Sequence, residues 1–333
     1  MRILFVKLSS LGDVVHAMPA LQDVRSALPR AQVDWVVEGA FAPLVRRCEG
    51  VGRVIASELR RWRKSPLSAQ THAEWRSFRD ELRRDPYDAV IDLQGLTKSA
   101  LVARVARLAP GGRRYALANR TEGSSYEALT RWVAHIALRI EPHVHAVQRS
   151  RQLCASALGY PLPASLRYGL QPQDARSCGT AVHAPGDTVV LVHGSSRDDK
   201  CWPESHWNAL GGRLIAQGLS IALPHGSDEE RDRSERLARE LGPQAEVWPH
   251  TDLGTLTDRL ARSAGVVGVD SGLSHIASAL DRPHVQIYNF DTAWRTGPLP
   301  SSDGGPGRQL SVFAQPTPTM EAVWRAWQQA SAP

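Results

Sequence analysis

Short apolar runs alternate with amphipathic segments along the first half of the chain. The run Ile3 to Val6 is followed by a polar loop and then by apolar residues at helical spacing from Val14 to Leu28, so strand, loop and helix are predicted in that order. Pro19 lies inside the helical pattern and predicts a kink or a restart there. The remaining predictions are strands at Val33 to Val37 and Ala89 to Leu93, and a helix from Leu96 to Leu108. Strands that alternate with helices predict a parallel sheet.

The same alternation returns in the second half, after a stretch rich in Pro and Gly. This stretch, residues 159–187, is the best linker candidate. The strands predicted after it are Thr188 to Val192, Leu219 to Leu223 and Gly265 to Val269, and the helices are Glu204 to Ala216, Glu229 to Leu241 and Leu273 to Leu280. We therefore predict two consecutive α/β domains, residues 1–170 and 171–333, with the last helix as a candidate to pack back on the first domain.

Charge separates the two halves. The chain of 333 residues carries 36 Arg and 4 Lys against 34 acidic residues, a net charge of +6. Residues 1–170 hold 26 basic and 15 acidic side chains, whereas residues 171–333 hold 14 and 19. This asymmetry predicts an anionic partner for the first half: a nucleic acid, a membrane surface or a phosphorylated acceptor.

The cysteines indicate neither a disulfide scaffold nor a structural zinc site. Cys48, Cys154, Cys178 and Cys201 are far apart and show no CxxC or Cys/His ligand spacing. No apolar run approaches the roughly 20 residues of a membrane span, and the first residues are too interrupted for a signal peptide. We expect a protein that is soluble or peripheral on a membrane.

Open parallel sheets bind ligands beyond the carboxyl ends of their strands, so the loops after the strands are where chemistry is expected. The loop from Leu8 to Asp13 ends in a carboxylate at a predicted helix start. Asp13 is a candidate general base, and the alternative is an N-cap that accepts backbone N–H groups.

The loop His193 to Trp202 combines a glycine, hydroxyl residues and a cation ahead of a helix. Ser195 and Ser196 supply hydroxyl donors and Lys200 supplies positive charge, which together suit a phosphate group. The loop matches neither the P-loop nor the GxGxxG pattern. A polar surface turn with a solvated lysine is the alternative.

Two further loops carry acids at helix starts. In Asp270 to His275, the backbone N–H groups suit an anion and Asp270 suits sugar hydroxyls, unless it is a capping Asp with a core-facing His275. In Leu223 to Glu230, three acids at a helix start are also explained by the helix dipole alone.

Two basic clusters occur in the positive half. One is Arg60 to Lys64, which includes Trp62, and the other comprises Arg113, Arg114, Arg120, Arg149 and Arg151. Such runs are usually solvated, but the aromatic residue and the one-sided charge favour contact with carboxylates or phosphates.

These segments together resemble glycosyltransferase family 9, the ADP-heptose:lipopolysaccharide heptosyltransferases. The segments that carry the resemblance are Lys7 to Asp13, Arg60 to Lys64, Asp88 to Ser99, Arg197 to Lys200 with Trp202 and Pro203, and Asp270 to His275. The resemblance implies a GT-B fold, in which two Rossmann-like domains face each other across a central cleft. It implies an inverting transfer of L-glycero-D-manno-heptose from ADP-heptose, without a metal or other cofactor, to the first Kdo of Kdo-lipid A in the inner core.

The resemblance also implies roles for single residues. Asp13 matches the catalytic base, and Lys200 matches the lysine that neutralises the diphosphate leaving group. Ser195 and Ser196 match hydroxyl donors to phosphate, and Glu230 matches the acid that binds the ribose. The positions that match the rest of the donor loop are Asp270, Ser271, Gly272 and His275. The positions that match the cationic acceptor site in the first domain are Arg60, Arg61, Arg63, Lys64 and Arg120.

The segment Tyr288 to Thr292 departs from the Gly-Pro-Thr-Asp run common in the family, which leaves the contacts of residues 289–295 open. The alternatives are heptosyltransferase II or another family 9 transferase with a different acceptor, and, from another class, a non-catalytic nucleic-acid-binding protein. The sequence lacks RNP, KH and zinc-finger patterns, so we expect no nucleic-acid partner. We expect a monomer at the cytoplasmic face of the inner membrane.

Overall fold

Two parallel β-sheets, each built from alternating strands and helices, form the framework of the structure. The computed structural model describes residues 1–173, 186–299 and 307–332. The chain divides into two units, Met1–Leu170 and Gln171–Pro333. Within the described ranges each unit contains one six-stranded sheet with parallel pairing between its neighbouring strands. The α/β class predicted from the sequence is therefore confirmed.

The sheet of the first unit has the strand order β3-β2-β1-β4-β5-β6. Its strands are β1 (Arg2–Val6), β2 (Gln32–Glu38), β3 (Val51–Ser57), β4 (Tyr87–Asp92), β5 (Leu108–Leu117) and β6 (Ile136–Leu138). Its helices are α1 (Leu11–Ala27), α2 (Ala42–Val45), α3 (Leu59–Trp62), α4 (Ala69–Arg83), α5 (Thr97–Val105), α6 (Thr130–Val133) and α7 (Ala146–Leu158). The strand order reverses between β1 and β4, where doubly wound sheets place their ligands.

The second unit repeats this topology with the order β12-β11-β10-β7-β8-β9. Its strands are β7 (Thr188–Val192), β8 (Ser220–Leu223), β9 (Ala245–Val247), β10 (Gly265–Val269), β11 (His284–Tyr288) and β12 (Gln309–Phe313). Its helices are α8 (Glu204–Ala216), α9 (Asp228–Leu241), α10 (Leu253–Arg262), α11 (Gly272–Ala279), α12 (Ala293–Thr296) and α13 (Met320–Ala330). Here the order reverses between β7 and β10.

Helix α1 contradicts the restart predicted at Pro19. The helix runs from Leu11 to Ala27 without interruption, although proline lacks the N–H that would bond to the carbonyl of Val15. Residues on both sides of the proline, from Val14 to Val24, are buried. Packing on both sides of Pro19 therefore keeps the helix continuous although one backbone hydrogen bond is missing.

Each unit has its own hydrophobic core on its sheet. In the first, Leu4 and Val6 of β1 pack with Trp62, Phe78 and Tyr87. In the second, strands β7, β10 and β11 pack with aromatic side chains from two helices. Helix α13 buries Val323, Trp324 and Trp327 in this second core. No helix in the described part of the chain is long and apolar enough to cross a membrane.

The predicted linker, residues 159–187, is described only in part, because residues 174–185 lie outside the described residues. Its first part packs on the first unit: Leu170 forms an antiparallel bridge with Cys48, and Arg151 donates to the carbonyls of Pro163 at 2.8 Å and Ser165 at 2.7 Å. Predicted strand β7, helix α8 and strand β10 have the predicted bounds, and the other predicted strands and helices end within a few residues of the observed positions.

Candidate active site

A charged group surrounds Asp13 at the carboxyl end of β1. Asp13 Oδ1 lies 3.3 Å from Lys7 Nζ and 3.2 Å from Arg149 Nη2. Its Oδ2 accepts from the Ser10 backbone N–H at 3.3 Å and from the Ser10 hydroxyl at 3.0 Å. Ser10 is the N-cap of α1, so one oxygen of Asp13 stabilises the helix start and the other faces two cations. The alternative that Asp13 is the N-cap is therefore wrong, although its Oδ2 accepts a backbone N–H at the helix start.

Asp13 is the exposed member of this group. Its side chain is 33% exposed, whereas those of Lys7 and Arg149 are 2% and 9% exposed. Burial acts to raise the pKa of Asp13, but Lys7, Arg149 and His16 outweigh it and hold this pKa well below its usual range. The carboxylate is therefore ionised at neutral pH and partly open to solvent.

Lys7 is held beneath Asp13 by the strand that carries it. Its ammonium also donates to the Leu93 carbonyl at 3.2 Å, and its own carbonyl accepts from Trp35 Nε1 at 3.2 Å. Burial lowers the pKa of Lys7, while Asp13 opposes this shift. A lysine that is fixed in this way contributes a rigid positive charge to the site.

The loop after β4 braces the loop after β1. The Gln94 side-chain carbonyl accepts from the backbone N–H groups of Leu8 and Ser9, each at 3.1 Å. Asp92 accepts from the Gln94 backbone N–H at 2.9 Å, and its own burial raises its pKa to about 6. The segment Asp88 to Ser99, named by the resemblance, thus has a structural role at the reversal point of the sheet.

The predicted acceptor residues of the first unit have different surroundings. Arg60 Nε lies 2.9 Å from Glu38, and Arg61 makes a two-pronged pair with Glu74 at 3.1 and 2.5 Å. Arg120 is exposed and donates to a backbone carbonyl. Arg63 and Lys64 are also exposed.

The second predicted basic cluster is not one surface. Arg149 contacts Asp13, whereas Arg151 is buried in a pair with Asp23, with nitrogen to oxygen distances of 2.7 and 3.0 Å. Arg114 donates to backbone carbonyls at the end of α5. The predicted contact with a carboxylate is thus present for Arg149 and Arg151, but inside the first unit, whereas Arg114 contacts backbone carbonyls instead.

In the second unit, Lys200 and Asp270 meet at the reversal point of the sheet. Lys200 Nζ donates to Asp270 Oδ2 at 2.6 Å, and His275 Nε2 lies 3.5 Å from Asp270 Oδ1. Burial acts to raise the pKa of Asp270, but His275 and Lys200 outweigh it and hold this pKa well below its usual range. The Lys200 side chain is 21% exposed. The alternative that Lys200 is a solvated surface lysine is wrong, because its ammonium is paired with Asp270. The alternative that Asp270 caps the next helix is also wrong, because the N-cap of α11 is Ser271.

The remaining residues predicted for the donor loops surround this pair unequally. Ser195 Oγ donates to the Asp270 backbone carbonyl at 3.3 Å, which joins the two loops, whereas Ser196 is exposed. Ser271 and Gly272 stand at the N-terminus of α11 next to Asp270. His275 faces the core, with 6% exposure, and still contacts Asp270.

Glu230 lies against the loop after β7. Its carboxylate accepts from the Gly226 backbone N–H at 2.7 Å, and a Cβ added at Gly194 would collide with its oxygen Oε1. Glycine at position 194 therefore allows this close approach of the carboxylate to the backbone. The helix-dipole explanation holds for Glu230 too, since it lies in the first turn of α9.

Asn289, in the segment that departs from the family pattern, supports the Lys200 loop. Its amide donates to the carbonyls of Asp199 at 2.9 Å and Cys201 at 3.0 Å, on either side of Lys200, and its carbonyl accepts from the Thr317 hydroxyl at 2.7 Å. Sequence reasoning assigned roles to neither Asn289 nor Lys7, and it did not pair Arg149 with Asp13. Lys7 is one of 4 Lys in the chain and opens the first segment that carries the family resemblance, but neither fact indicates its contact with Asp13.

Across residues 1–173, 186–299 and 307–332, no three His, Cys, Asp or Glu side chains are grouped as metal ligands would be. The features present are two doubly wound α/β units, an ionised carboxylate at one strand end and a lysine beside hydroxyl groups at another. On a doubly wound framework, such groups at strand ends are typical of a ligand-binding or catalytic site.

Comparison with known proteins identifies the family. The chain belongs to glycosyltransferase family 9 (heptosyltransferase), whose family model matches residues 75–316. It is 39% identical over 322 residues to lipopolysaccharide heptosyltransferase 1 of Escherichia coli K12, covering 95% of this chain and 94% of the relative. The enzyme of the same description from Pseudomonas aeruginosa is 41% identical over 299 residues, covering 89% and 81%. The solved structure described as E. coli heptosyltransferase WaaC with ADP matches with a TM-score of 0.85 and 36% identity, covering 100% of both chains.

Proposed function

We propose that the protein transfers L-glycero-D-manno-heptose from ADP-heptose to the first Kdo of Kdo-lipid A, with inversion at the anomeric carbon. The observation that carries this proposal is the ionised, partly exposed carboxylate of Asp13, fixed between Lys7 and Arg149. Relatives described as heptosyltransferase 1, about 40% identical over most of the chain, support heptose as the transferred sugar.

Asp13 is the general base of the proposed reaction. The acceptor hydroxyl attacks the anomeric carbon, its proton passes to Asp13, and the bond from the anomeric carbon to the diphosphate oxygen breaks to release ADP. Although Lys7 and Arg149 lower the basicity of Asp13, the proton moves as the new C–O bond forms, when the hydroxyl becomes strongly acidic. The same two cations keep the carboxylate ionised and oriented at neutral pH.

The second unit holds the donor in this proposal. Lys200 offsets the charge of the leaving diphosphate, and the N–H groups at the start of α11 face the same anion. Glu230 binds the ribose hydroxyls, and Asp270 with His275 holds Lys200 and the heptose. No step of this scheme requires a metal ion.

The first unit binds the acceptor through its exposed cations Arg60, Arg61, Arg63, Lys64 and Arg120. This assignment is what the family resemblance implies, and the excess of basic residues in residues 1–170 supports it. The proposed domains, 1–170 for the acceptor and 171–333 for the donor, act as a monomer at the cytoplasmic face of the inner membrane. The competing hypothesis is heptosyltransferase II activity, which shares the donor and differs in the acceptor sugar.

A transfer assay with the purified full-length protein tests the proposal. ADP-heptose is offered with heptose-free Kdo-lipid A, and in parallel with the same acceptor already carrying the first heptose; the product is followed by its mass. We expect the gain of one heptose on the heptose-free acceptor. Transfer only to the heptose-bearing acceptor would establish the competing hypothesis, and transfer to neither would refute the heptosyltransferase assignment.

A further inference from the structure

Three large apolar side chains are exposed on two adjacent helices of the first unit. Trp132 in α6 is 84% exposed, Leu129 at the N-cap of the same helix is 50% exposed, and Leu101 in α5 is 58% exposed. Helix α6 packs against α5. Single exposed leucines are ordinary, but a tryptophan almost wholly in water, with two leucines on the same pair of helices, is typical of a surface that binds a partner.

Positive charge accompanies these apolar side chains. Residues 97–139 carry eight basic and two acidic side chains, an excess equal to the net charge of +6 of the whole chain. Arg104 follows Leu101 by three positions on the exposed face of α5, and Arg131 stands next to Trp132 in α6. We call the surface formed by these five residues the α5–α6 surface; it comprises Leu101, Arg104, Leu129, Arg131 and Trp132.

The arginines of the α5–α6 surface are not neutralised by a carboxylate. Within the described part of the chain, Arg104 and Arg131 make no ion pair. The two acids of residues 97–139 have other contacts: Glu127 accepts from the backbone N–H and the hydroxyl of Thr97, and Glu122 lies 3.0 Å from a histidine nitrogen. The surface therefore presents uncompensated positive charge beside apolar side chains.

The same two helices border the loop that carries Asp13. In the first turn of α5, Lys98 donates to Ser9 Oγ at 3.1 Å. The backbone N–H of Glu127, just before α6, donates to the carbonyl of Gly95 at 2.9 Å, in the loop after β4. A partner that binds the α5–α6 surface would therefore lie beside the part of the first unit that holds the proposed base.

Apolar side chains between arginines suit an anionic lipid bilayer. Tryptophan and leucine enter the boundary between headgroups and acyl chains, while arginine binds the lipid phosphates. Duplex nucleic acid would meet the arginines but would leave the leucines and Trp132 against phosphates or water. A second copy of the chain, related by a twofold axis, would bring Arg104 and Arg131 against the same arginines of the partner, and such like charges repel.

We propose that the α5–α6 surface docks the protein on an anionic membrane, with Leu101, Leu129 and Trp132 inserted among the lipids and Arg104 and Arg131 on lipid phosphates. This inference rests on the proposed function, whose acceptor is a lipid, and it identifies the part of the first unit that meets the bilayer. Docking through these helices would keep the loop of Asp13 close to the membrane plane from which a lipid-linked acceptor projects.

Two variants test the two kinds of contact. Trp132→Ser removes the exposed aromatic side chain, and the double change Arg104→Gln with Arg131→Gln removes the charge. The controls are Phe313→Ser and Arg239→Gln, changes of the same kind at exposed positions of the second unit. Co-sedimentation of the full-length protein with phosphatidylcholine vesicles, with and without phosphatidylglycerol as half of the lipid, measures binding at low and high salt.

We expect the wild type to bind the vesicles that contain phosphatidylglycerol, and salt to weaken this binding. Trp132→Ser should weaken it about tenfold, and the double arginine variant about thirtyfold, the loss expected for two basic residues near a charged bilayer. Both variants should raise the KM for heptose-free Kdo-lipid A embedded in these vesicles. The KM for the fully deacylated, soluble acceptor and the unfolding temperature should stay at the wild-type values, because the changed side chains are exposed.

Vesicle binding by Trp132→Ser and by the double variant equal to that of the controls would overturn the inference. Failure of the wild type to bind the anionic vesicles would overturn it as well. The same conclusion would follow if the variants lost binding to duplex DNA, or dissociated a wild-type dimer, and kept their binding to vesicles. Absence of heptose transfer by the wild type would instead refute the proposed function, and the co-sedimentation would still test the surface.

Discussion

Replacement of Lys200 by methionine removes the ammonium that holds Asp270. The pair joins Lys200 Nζ and Asp270 Oδ2 at 2.6 Å, and the carboxylate is 6% exposed. Without the lysine, the contacts left to Asp270 Oδ1 are long: 3.4 Å to Gln286, and 3.5 Å to His275 and to Thr296. We expect Lys200→Met to lose both stability of the second unit and affinity for ADP.

The size of the stability loss follows from the geometry. At 2.6 Å, the attraction is about 6 kcal/mol with an effective dielectric constant of about 20, before desolvation is subtracted. Removal of one partner of a buried pair costs about 3–5 kcal/mol, and the 21% exposure of Lys200 lowers this to about 2–4 kcal/mol. For a unit of this size, the loss corresponds to a fall in Tm of roughly 4–16 °C.

Low pH should reduce the difference in the free energy of unfolding between Lys200→Met and the wild type. His275 and Lys200 outweigh burial and hold the pKa of Asp270 below its usual range, so the pair contributes fully above the unfolded-state pKa of about 4. The contribution is lost as the pH falls through the lower pKa of the folded state. The stability gap is therefore full at pH 7 and narrows below about pH 4.

Thermal and urea unfolding with and without ADP measure these effects. The control variant is Arg197→Gln, which removes an exposed charge paired with Asp199 in the same loop. We expect ADP to raise the Tm of the wild type and of the control, and to bind Lys200→Met about tenfold or more weakly, as for loss of a charged hydrogen bond. A wild-type Tm and a wild-type ADP affinity for Lys200→Met would refute the reasoning.

Three further substitutions test the surroundings of the two charged groups. Arg149→Met should lower turnover about tenfold or more, because Asp13 loses an orienting partner. It should also move the acid limb of the pH–rate profile to higher pH, because Arg149 lowers the pKa of Asp13; a wild-type profile would contradict this. In the wild type, the free energy of unfolding should fall by up to about 3 kcal/mol as the pH rises from 4 to 6, because Asp92 stays protonated in the folded state up to its pKa of about 6 and loses its proton near pH 4 in the unfolded state. Asp92→Asn should abolish this fall. Urea unfolding across that pH range measures it, and an unchanged pH dependence in the variant would count against it. Asn289→Ala should raise the KM for ADP-heptose about tenfold, since the loop around Lys200 loses two hydrogen bonds, and an unchanged KM would argue against this support.

The sequence predicted those features that follow from strand order and loop position. Asp13, Lys200 and Asp270 were singled out because they follow buried strands, and parallel sheets gather such residues at one edge. The predicted bounds of β7, α8 and β10 were confirmed for a related reason, since apolar runs and helical periodicity are strong in this part of the chain.

The partners of these residues required the packed structure. Arg149 reaches Asp13 across 136 positions of sequence, through the packing of α7 against α1, and no local pattern reports such a contact. Glu38, the last residue of β2, likewise meets Arg60 of α3 only through tertiary packing. Of the kink or restart predicted at Pro19, the restart was wrong because burial on both sides outweighs one missing hydrogen bond.

In the proposed reaction, Asp13 takes the proton of the attacking hydroxyl. The most direct test of this role is the single-turnover rate of heptose transfer from ADP-heptose to heptose-free Kdo-lipid A, measured for the wild type and for Asp13→Asn under saturating substrates. We expect Asp13→Asn to bind ADP normally, to remain folded at the assay temperature although Lys7 and Arg149 lose their charged partner, and to transfer heptose about a hundredfold to ten-thousandfold more slowly. A transfer rate near that of the wild type would contradict the role of Asp13 as the base.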